Sequence, residues 1–216
     1  MGLTNPIDAI QCFHRAFRRD MIEIDDYTLK AARNGREFTP ILKRFNLFGD
    51  ILDLHARGEE EAVFPAFDKI TPTIAKTYFM DHRELDTMVS GLKDTFASPD
   101  ALTSARATAV LNSHLRIHLN KEDAFLYPVL RERLSDDEQK SIIGIMSSKI
   151  PSAKMPDLIG WLFPLMGIDD RVMLVGYWMT LMPPQVFSGI KPLIKESLAE
   201  DWVELVKRVP DLTKDG

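Results

Sequence analysis

A short pattern occurs twice in this chain and limits the available folds more than any other feature. The first copy reads His55-Ala56-Arg57-Gly58-Glu59-Glu60 and closes on Phe64-Pro65; the second reads His118-Leu119-Asn120-Lys121-Glu122-Asp123 and closes on Tyr127-Pro128. In both, a His precedes a Glu by four residues, an acid follows the Glu, and an aromatic-Pro pair ends the run. A lone histidine, first His14 and then His82, precedes each copy. Residues four apart lie about 40° apart around a helix, so His55 with Glu59, and His118 with Glu122, each offer a nitrogen and a carboxylate on one side. A carboxylate facing a bundle interior is strongly unfavourable unless it is paired or bound to metal. Four helices that gather His14, His55, Glu59, His82, His118 and Glu122 around two metal ions meet that requirement. A single such pair is usually a solvated ion pair; the repetition, with matched prolines and a lone His before each copy, favours the metal.

Apolar residues recur at helical spacing, and no segment alternates as a strand does. Thr4 or Asn5 is placed to cap a first helix with Pro6 in its first turn, Ile7, Ile10, Phe13, Phe17, Met21 and Ile24 as its stripe, and Asn34-Gly35 as its stop. Thr39-Pro40 opens a second, running to about Phe67, in which Ile41, Phe45, Phe48, Leu52, His55, Glu59 and Val63 share a face. Thr71-Pro72 opens a third that carries Ile74, Tyr78, His82, Leu85 and Val89 and ends at Ser98-Pro99-Asp100. A fourth runs from about Ala101 to Leu134. The short links predict an all-α, up-down antiparallel four-helix bundle over residues 1–134. Ser135-Asp136-Asp137-Glu138 reads as a capping box that begins a new unit. Residues 135–216 are then a C-terminal extension of shorter helices, interrupted by Pro151, Pro156, Pro164, Pro183, Pro184, Pro192 and Pro210. The extension holds Trp161, Trp178 and Trp202 and no histidine, so packing on the bundle is its expected role; a lid, a homodimer contact or a surface for a protein partner are the others.

Composition removes several function classes. With 27 basic against 32 acidic residues the net charge is −5, the wrong sign for a broad nucleic-acid surface. The single cysteine, Cys12, excludes an internal disulfide and a Cys-rich zinc site; two residues from His14, it faces the other side of that helix and reads as a small buried apolar residue. The first residues lack the basic and apolar regions of a signal peptide. The longest apolar stretch, Val172 to Met182, is too short to span a bilayer. A cytoplasmic protein with no nucleic-acid or membrane partner is the expectation.

Imidazole and carboxylate suit iron, manganese and zinc. If both carboxylates bridge, each ion receives two nitrogens and two oxygens, and an oxide or hydroxide bridge leaves an octahedral iron one position for dioxygen, peroxide or nitric oxide. His114, four residues before His118, is a candidate fifth histidine ligand; a group behind the ligands or a bundle-core histidine is the alternative. Asp86, four after His82, is placed either to orient that imidazole or on the surface. Glu60, Glu61 and Asp123 are solvated acids or acids behind the ligands.

These six residues and the two aromatic-Pro pairs resemble the ligand pattern of hemerythrin-like (HHE cation-binding) domains over about residues 5 to 134. The resemblance implies an up-down bundle around a non-haem di-iron centre with an oxo or hydroxo bridge. Glu59 and Glu122 would bridge the irons and His14, His55, His82 and His118 would be terminal ligands, with zinc or manganese as substitutes. Oxygen-carrying members have His-x-x-x-His on the third helix, where this chain has His82 followed by Asp86, and an aspartate bridge in place of Glu122. The four-His, two-Glu set is closer to bacterial and mycobacterial hemerythrin-like proteins and to eukaryotic iron-sensing ubiquitin-ligase domains. Residues 135–216 resemble the helical region that follows the bundle in plant members. Binding or sensing of dioxygen, nitric oxide, peroxide or iron is therefore expected ahead of oxygen transport. An enzyme that decomposes hydrogen peroxide in a catalase-like way, or oxidises a small molecule, is the alternative. A ferritin-like oxidase, built on four carboxylates and two Glu-x-x-His motifs, fits the nitrogen-rich set less well.

Overall fold

Pro6–Ala9 forms a 3-10 turn that leads into α1 (Ile10–Asn34); proline suits such a start because the N–H it lacks would have no helical acceptor there. The computed structural model describes residues 5–35, 38–96 and 100–214, so Thr4 and Ser98-Pro99 lie outside the described residues. α1 stops as its sequence predicts: Gly35 takes φ 63°, and its N–H reaches back to Ala31 O. The next rod is α2 (Thr39–Gly58), one π turn (Glu59–Val63) and α3 (Phe64–Ile70). After it come α4 (Ala75–Phe96) and a second interrupted rod of α5 (Ala101–Lys121), a π turn (Glu122–Leu126) and α6 (Tyr127–Arg133). α5 is capped by Asp100, whose carboxylate accepts from Thr103 N at 3.1 Å.

One start differs from expectation. Thr71-Pro72 does not open the third helix, which begins at Ala75. α3 runs on until Thr71 N donates to Phe67 O, and the chain then reverses through Thr73, held at φ 75° with its N–H on Asp68 Oδ1 at 2.9 Å. Ile74 therefore lies in the turn and is exposed rather than part of the stripe.

α1 packs against α2 and α5, and α4 packs against the same two. Cross-helix pairs run in opposite senses: along α1, His14 meets His55 and Asp20 meets Arg44, while Arg18 meets Asn120 and Asp25 meets Asn112. This is the antiparallel bundle that short links dictate. Among the described residues there is no strand, and no helix is long and apolar enough to cross a membrane.

Two apolar clusters fill the interior. One holds Phe17, Met21, Phe45, Phe48, Leu92, Leu111 and Leu115 and continues into the extension through Leu158, Trp161, Leu162 and Phe163. The other holds Ile7, Val63, Phe64, Tyr78, Leu126, Tyr127 and Leu130. Along each rod, the paired His and Glu fall between these clusters, so they form a polar layer walled from water on both sides.

The extension comprises α7 (Asp136–Ser148), α8 (Met155–Leu165), α9 (Ile168–Leu181), α10 (Pro184–Leu198) and α11 (Asp201–Arg208). The capping box is present: Ser135 Oγ accepts from Glu138 N, and the Glu138 carboxylate accepts from Ser135 N. α7 packs on the first motif and ties down the N-terminal turn. Its Met146 lies against Gly58, where a Cβ would come within 3.2 Å of the methionine's methyl carbon. Its buried Gln139 accepts from Ile7 N at 3.3 Å and donates to Leu134 O at 3.0 Å. α8 lies on α1: Trp161 stacks at a tilt on Phe17, centroids 4.8 Å apart, and its indole N–H donates to Asp20 Oδ2 at 2.6 Å.

Candidate metal centre

Each Glu of the repeat is the first residue of a π turn. In both turns the amide of the aromatic residue, Phe64 or Tyr127, bonds to the carbonyl of the Glu five residues earlier. The proline that follows each aromatic explains the widening. Proline lacks an N–H, and its ring crowds the carbonyl one turn back; a turn holding one extra residue relieves the crowding. Such π bulges gather at functional sites because they re-aim side chains.

The six residues singled out by the sequence converge in the polar layer. His14, Glu59 and Glu122 are fully buried, and His82, His118 and His55 are 2%, 4% and 8% exposed. Glu59 Oε1 lies 3.3 Å from His55 Nε2 and 3.7 Å from His14 Nε2, and its Oε2 lies 3.4 Å from His82 Nε2. Glu122 Oε1 lies 3.4 Å from His118 Nε2 and 3.9 Å from His82 Nε2, and its Oε2 lies 3.5 Å from His14 Nε2. Both carboxylates thus sit between imidazoles from opposite sides, and every imidazole points Nε2 inward.

The polar bookkeeping fits a cation. Glu59 Oε2, His82 Nε2 and both oxygens of Glu122 are buried without a hydrogen bond, a state that is unfavourable for polar groups and worse for charged ones. Burial, then repulsion from Glu59, holds the Glu122 carboxyl well above the usual carboxylate range. Glu59 is held well below it: burial opposes the charge, but the imidazole of His55, with those of His14 and His82 close by, outweighs it. Two sets of donor atoms, each set within 4.8 Å, are Glu59, His82, His118 and Glu122, and His14, His55 and Glu59. Nitrogen and oxygen donors without thiolate match iron, zinc or manganese.

Acids behind the inward imidazoles orient them, and two of the three cross between the two halves of the motif. Asp123, beside Glu122, accepts from His14 Nδ1 at 2.8 Å, and Glu60, beside Glu59, accepts from His82 Nδ1 at 3.1 Å. Asp81 takes His118 Nδ1 at 3.4 Å. Each bond directs the Nε2 lone pair into the centre. For His14, Asp123 and Glu59 outweigh the burial that would otherwise depress its pKa, which ends above the usual histidine value. His55 has no such acid, and burial takes its pKa below that value.

Two expectations need correction, and two residues need adding. His114 does not join the cluster: its side chain is exposed and its Nδ1 bonds to Val110 O of its own helix at 3.0 Å. One turn before His118 it has left the polar layer, level with apolar Leu111 and Leu115. Asp86 does not orient His82; it is a surface partner of Arg83, and Glu60 from the neighbouring rod takes that role. Sequence reasoning missed Asp81, whose signal is its place directly before the lone His82, and the phenol of Tyr127. That hydroxyl donates to Glu59 Oε1, whereas the matching residue of the first copy, Phe64, packs its ring 5.0 Å from His82. Cys12 is buried away from the centre; burial and Asp170 push its thiol up to about 12.

The family model described as the hemerythrin HHE cation binding domain matches residues 5–130. Among curated proteins, two BRUTUS-like zinc finger proteins of Arabidopsis thaliana are each 24% identical, over 80% of this chain and 16% and 15% of their own lengths. The zinc finger protein BRUTUS of the same plant is 23% identical over 77% of this chain and 14% of its own length. The chain thus spans about a sixth of the relatives it matches. No solved structure matches it. With well over half of its residues, and all six converging side chains, inside the matched region, the chain belongs to the hemerythrin HHE cation-binding family.

Proposed function

We propose that this protein holds two iron ions between Glu59 and Glu122 and uses them to bind and sense dioxygen, nitric oxide or peroxide. The observation that carries this reading is the set of four inward Nε2 atoms around two buried carboxylates, three of whose four oxygens lack hydrogen bonds. His14 and His55 would hold one ion, His82 and His118 the other, with the glutamates shared. Iron, when bound, supplies the affinity for a diatomic gas or peroxide. The chain supplies oriented imidazoles and a polar layer between two apolar clusters. A recess of about 50 Å³ lies beside His118, lined by Asp81, Glu84, Leu85, His114, Ile117 and Lys121. A molecule near the size of water fits there, in keeping with a diatomic or peroxide ligand.

Iron-loaded protein titrated anaerobically with dioxygen, nitric oxide and hydrogen peroxide, followed by absorbance, tests this. A saturable change with no more than about one peroxide consumed per centre is the expected result. Many turnovers of peroxide per centre replace the sensor with an enzyme. No spectral response to any of the three rejects the proposal.

A further inference from the structure

The two halves of the centre are alike in sequence but not in surroundings. Three of the four histidines have a carboxylate on Nδ1 and a cation behind the carboxylate. Asp123 behind His14 is held by Arg18 at 2.6 Å, Glu60 behind His82 by Arg83 at 2.8 Å, and Asp81 behind His118 by Lys121. The fourth set is missing. Phe13 precedes His14 as Asp81 precedes His82, and its ring lies parallel to His55, centroids 5.9 Å apart at 17°. Among the described residues no carboxylate bonds to His55 Nδ1.

The inward atoms differ in the same direction. Around His14 and His55 most donors already satisfy one another: the two Nε2 atoms share a hydrogen bond of 3.2 Å, Tyr127 occupies Glu59 Oε1, and only Glu122 Oε2, 3.5 Å from His14 Nε2, is left without a hydrogen bond. Around His82 and His118 the atoms are left over: Glu59 Oε2, His82 Nε2 and Glu122 Oε1 have no hydrogen bond. The second pocket also offers four donors within reach of one ion where the first offers three. An ion entering the four-donor pocket relieves buried, unpaired groups. An ion entering the three-donor pocket must first break the imidazole pair and share Glu59 Oε1 with a phenol.

We propose that the two pockets fill in a fixed order: the Glu59, His82, His118 and Glu122 pocket first, and the His14, His55 and Glu59 pocket second and more weakly, with Phe13 as the residue that sets the difference. The protein therefore passes through a one-ion form as metal rises, and the second ion is the first to leave. This rests on the two-ion centre proposed above. Removing an acid behind a metal-bound histidine typically lowers affinity about 10–100-fold, so the two steps should differ by at least that factor.

Metal-free protein titrated anaerobically with Co(II), by calorimetry and visible absorbance, reads both steps. Two events of one ion each, separated about 10–100-fold in affinity, are expected. Asp81→Ala should weaken the first event by about that factor and draw the two together; Asp81→Asn, which keeps an acceptor, should recover part of the loss. Phe13→Asn, which offers His55 an acceptor, should tighten the second event; if that variant does not fold, Asp81→Ala decides alone. Two ions taken up in a single step, or an Asp81→Ala variant whose first event stays put, overturns the order. A protein that takes up one ion only, or none, overturns the two-ion centre itself and the order with it.

Discussion

Tyr127 shows how much one atom matters at the centre. Its hydroxyl is the only difference in type between the two aromatic-Pro pairs, and it donates to Glu59 in a buried layer. Burial, then the charge of Glu59, raises the phenol's pKa well above its ordinary value, so it stays a donor. Tyr127→Phe should lower the stability of the metal-free protein by about 1–3 kcal/mol, the usual effect of stranding a buried acceptor, as read by denaturant unfolding. His114→Ala should leave metal stoichiometry unchanged, because that side chain bonds only within α5. Unequal stoichiometry on elemental analysis would return His114 to the ligand set. The contrast between His114 and His118 marks the limit of residue-level reading. Spacing places both on one side of a helix, but depth along the bundle decides which of them reaches the polar layer, and depth is a property of the packed helices. Glu60 and Asp123 were visible as acids following each Glu; that each serves the lone histidine of the other half depends on which rods touch.

At the scale of elements, the rods follow their sequence closely where local signals act and depart from it where tertiary geometry acts. Gly35 ends α1 and the Ser135 box starts α7 as their chemistry requires. The Thr71-Pro72 pair resembles a helix start equally well, yet the chain spends those residues on reversing direction beside Asp68. The π turns are not legible in the sequence, which presents the second and fourth rods as unbroken helices; they begin at the glutamates and lead into Phe64 and Tyr127, each directly before a proline. Ser135→Ala should destabilise the protein by about 1 kcal/mol, as for a typical lost N-cap, measured by thermal unfolding at neutral pH. Glu138 gives this cap an acid limit. The Ser135 amide and hydroxyl hold its carboxyl below the usual value, so its contribution is complete above that usual value and disappears as pH falls through the depressed one. The Ser135→Ala variant should lose less stability than the parent over that acid range.

At the scale of the molecule, bundle and extension share one interior. Phe17 belongs to α1 and Trp161 to α8, and the main apolar cluster runs through both. A chain ended at residue 134 would lose Trp161 from Asp20, Gln139 from Ile7 and Met146 from Gly58. It should aggregate or stay partly unfolded on size exclusion, whereas a soluble, metal-binding fragment would show the bundle to be self-sufficient. The sequence marks the junction at Ser135 clearly and says little about this dependence, because prolines and tryptophans report that helices are short and apolar but not which surface receives them.

Trp161 touches Phe17, and Phe17 lies 5.2 Å from His55. The extension therefore plants a fluorophore two ring contacts from the innermost chemistry of the bundle. Withdrawing the metal with a chelator should brighten tryptophan emission, and Trp161→Phe should abolish that gain while Trp178→Phe and Trp202→Phe leave it. If emission follows occupancy in this way, the appended helices would serve as an optical window through which loading and release are followed in unlabelled protein.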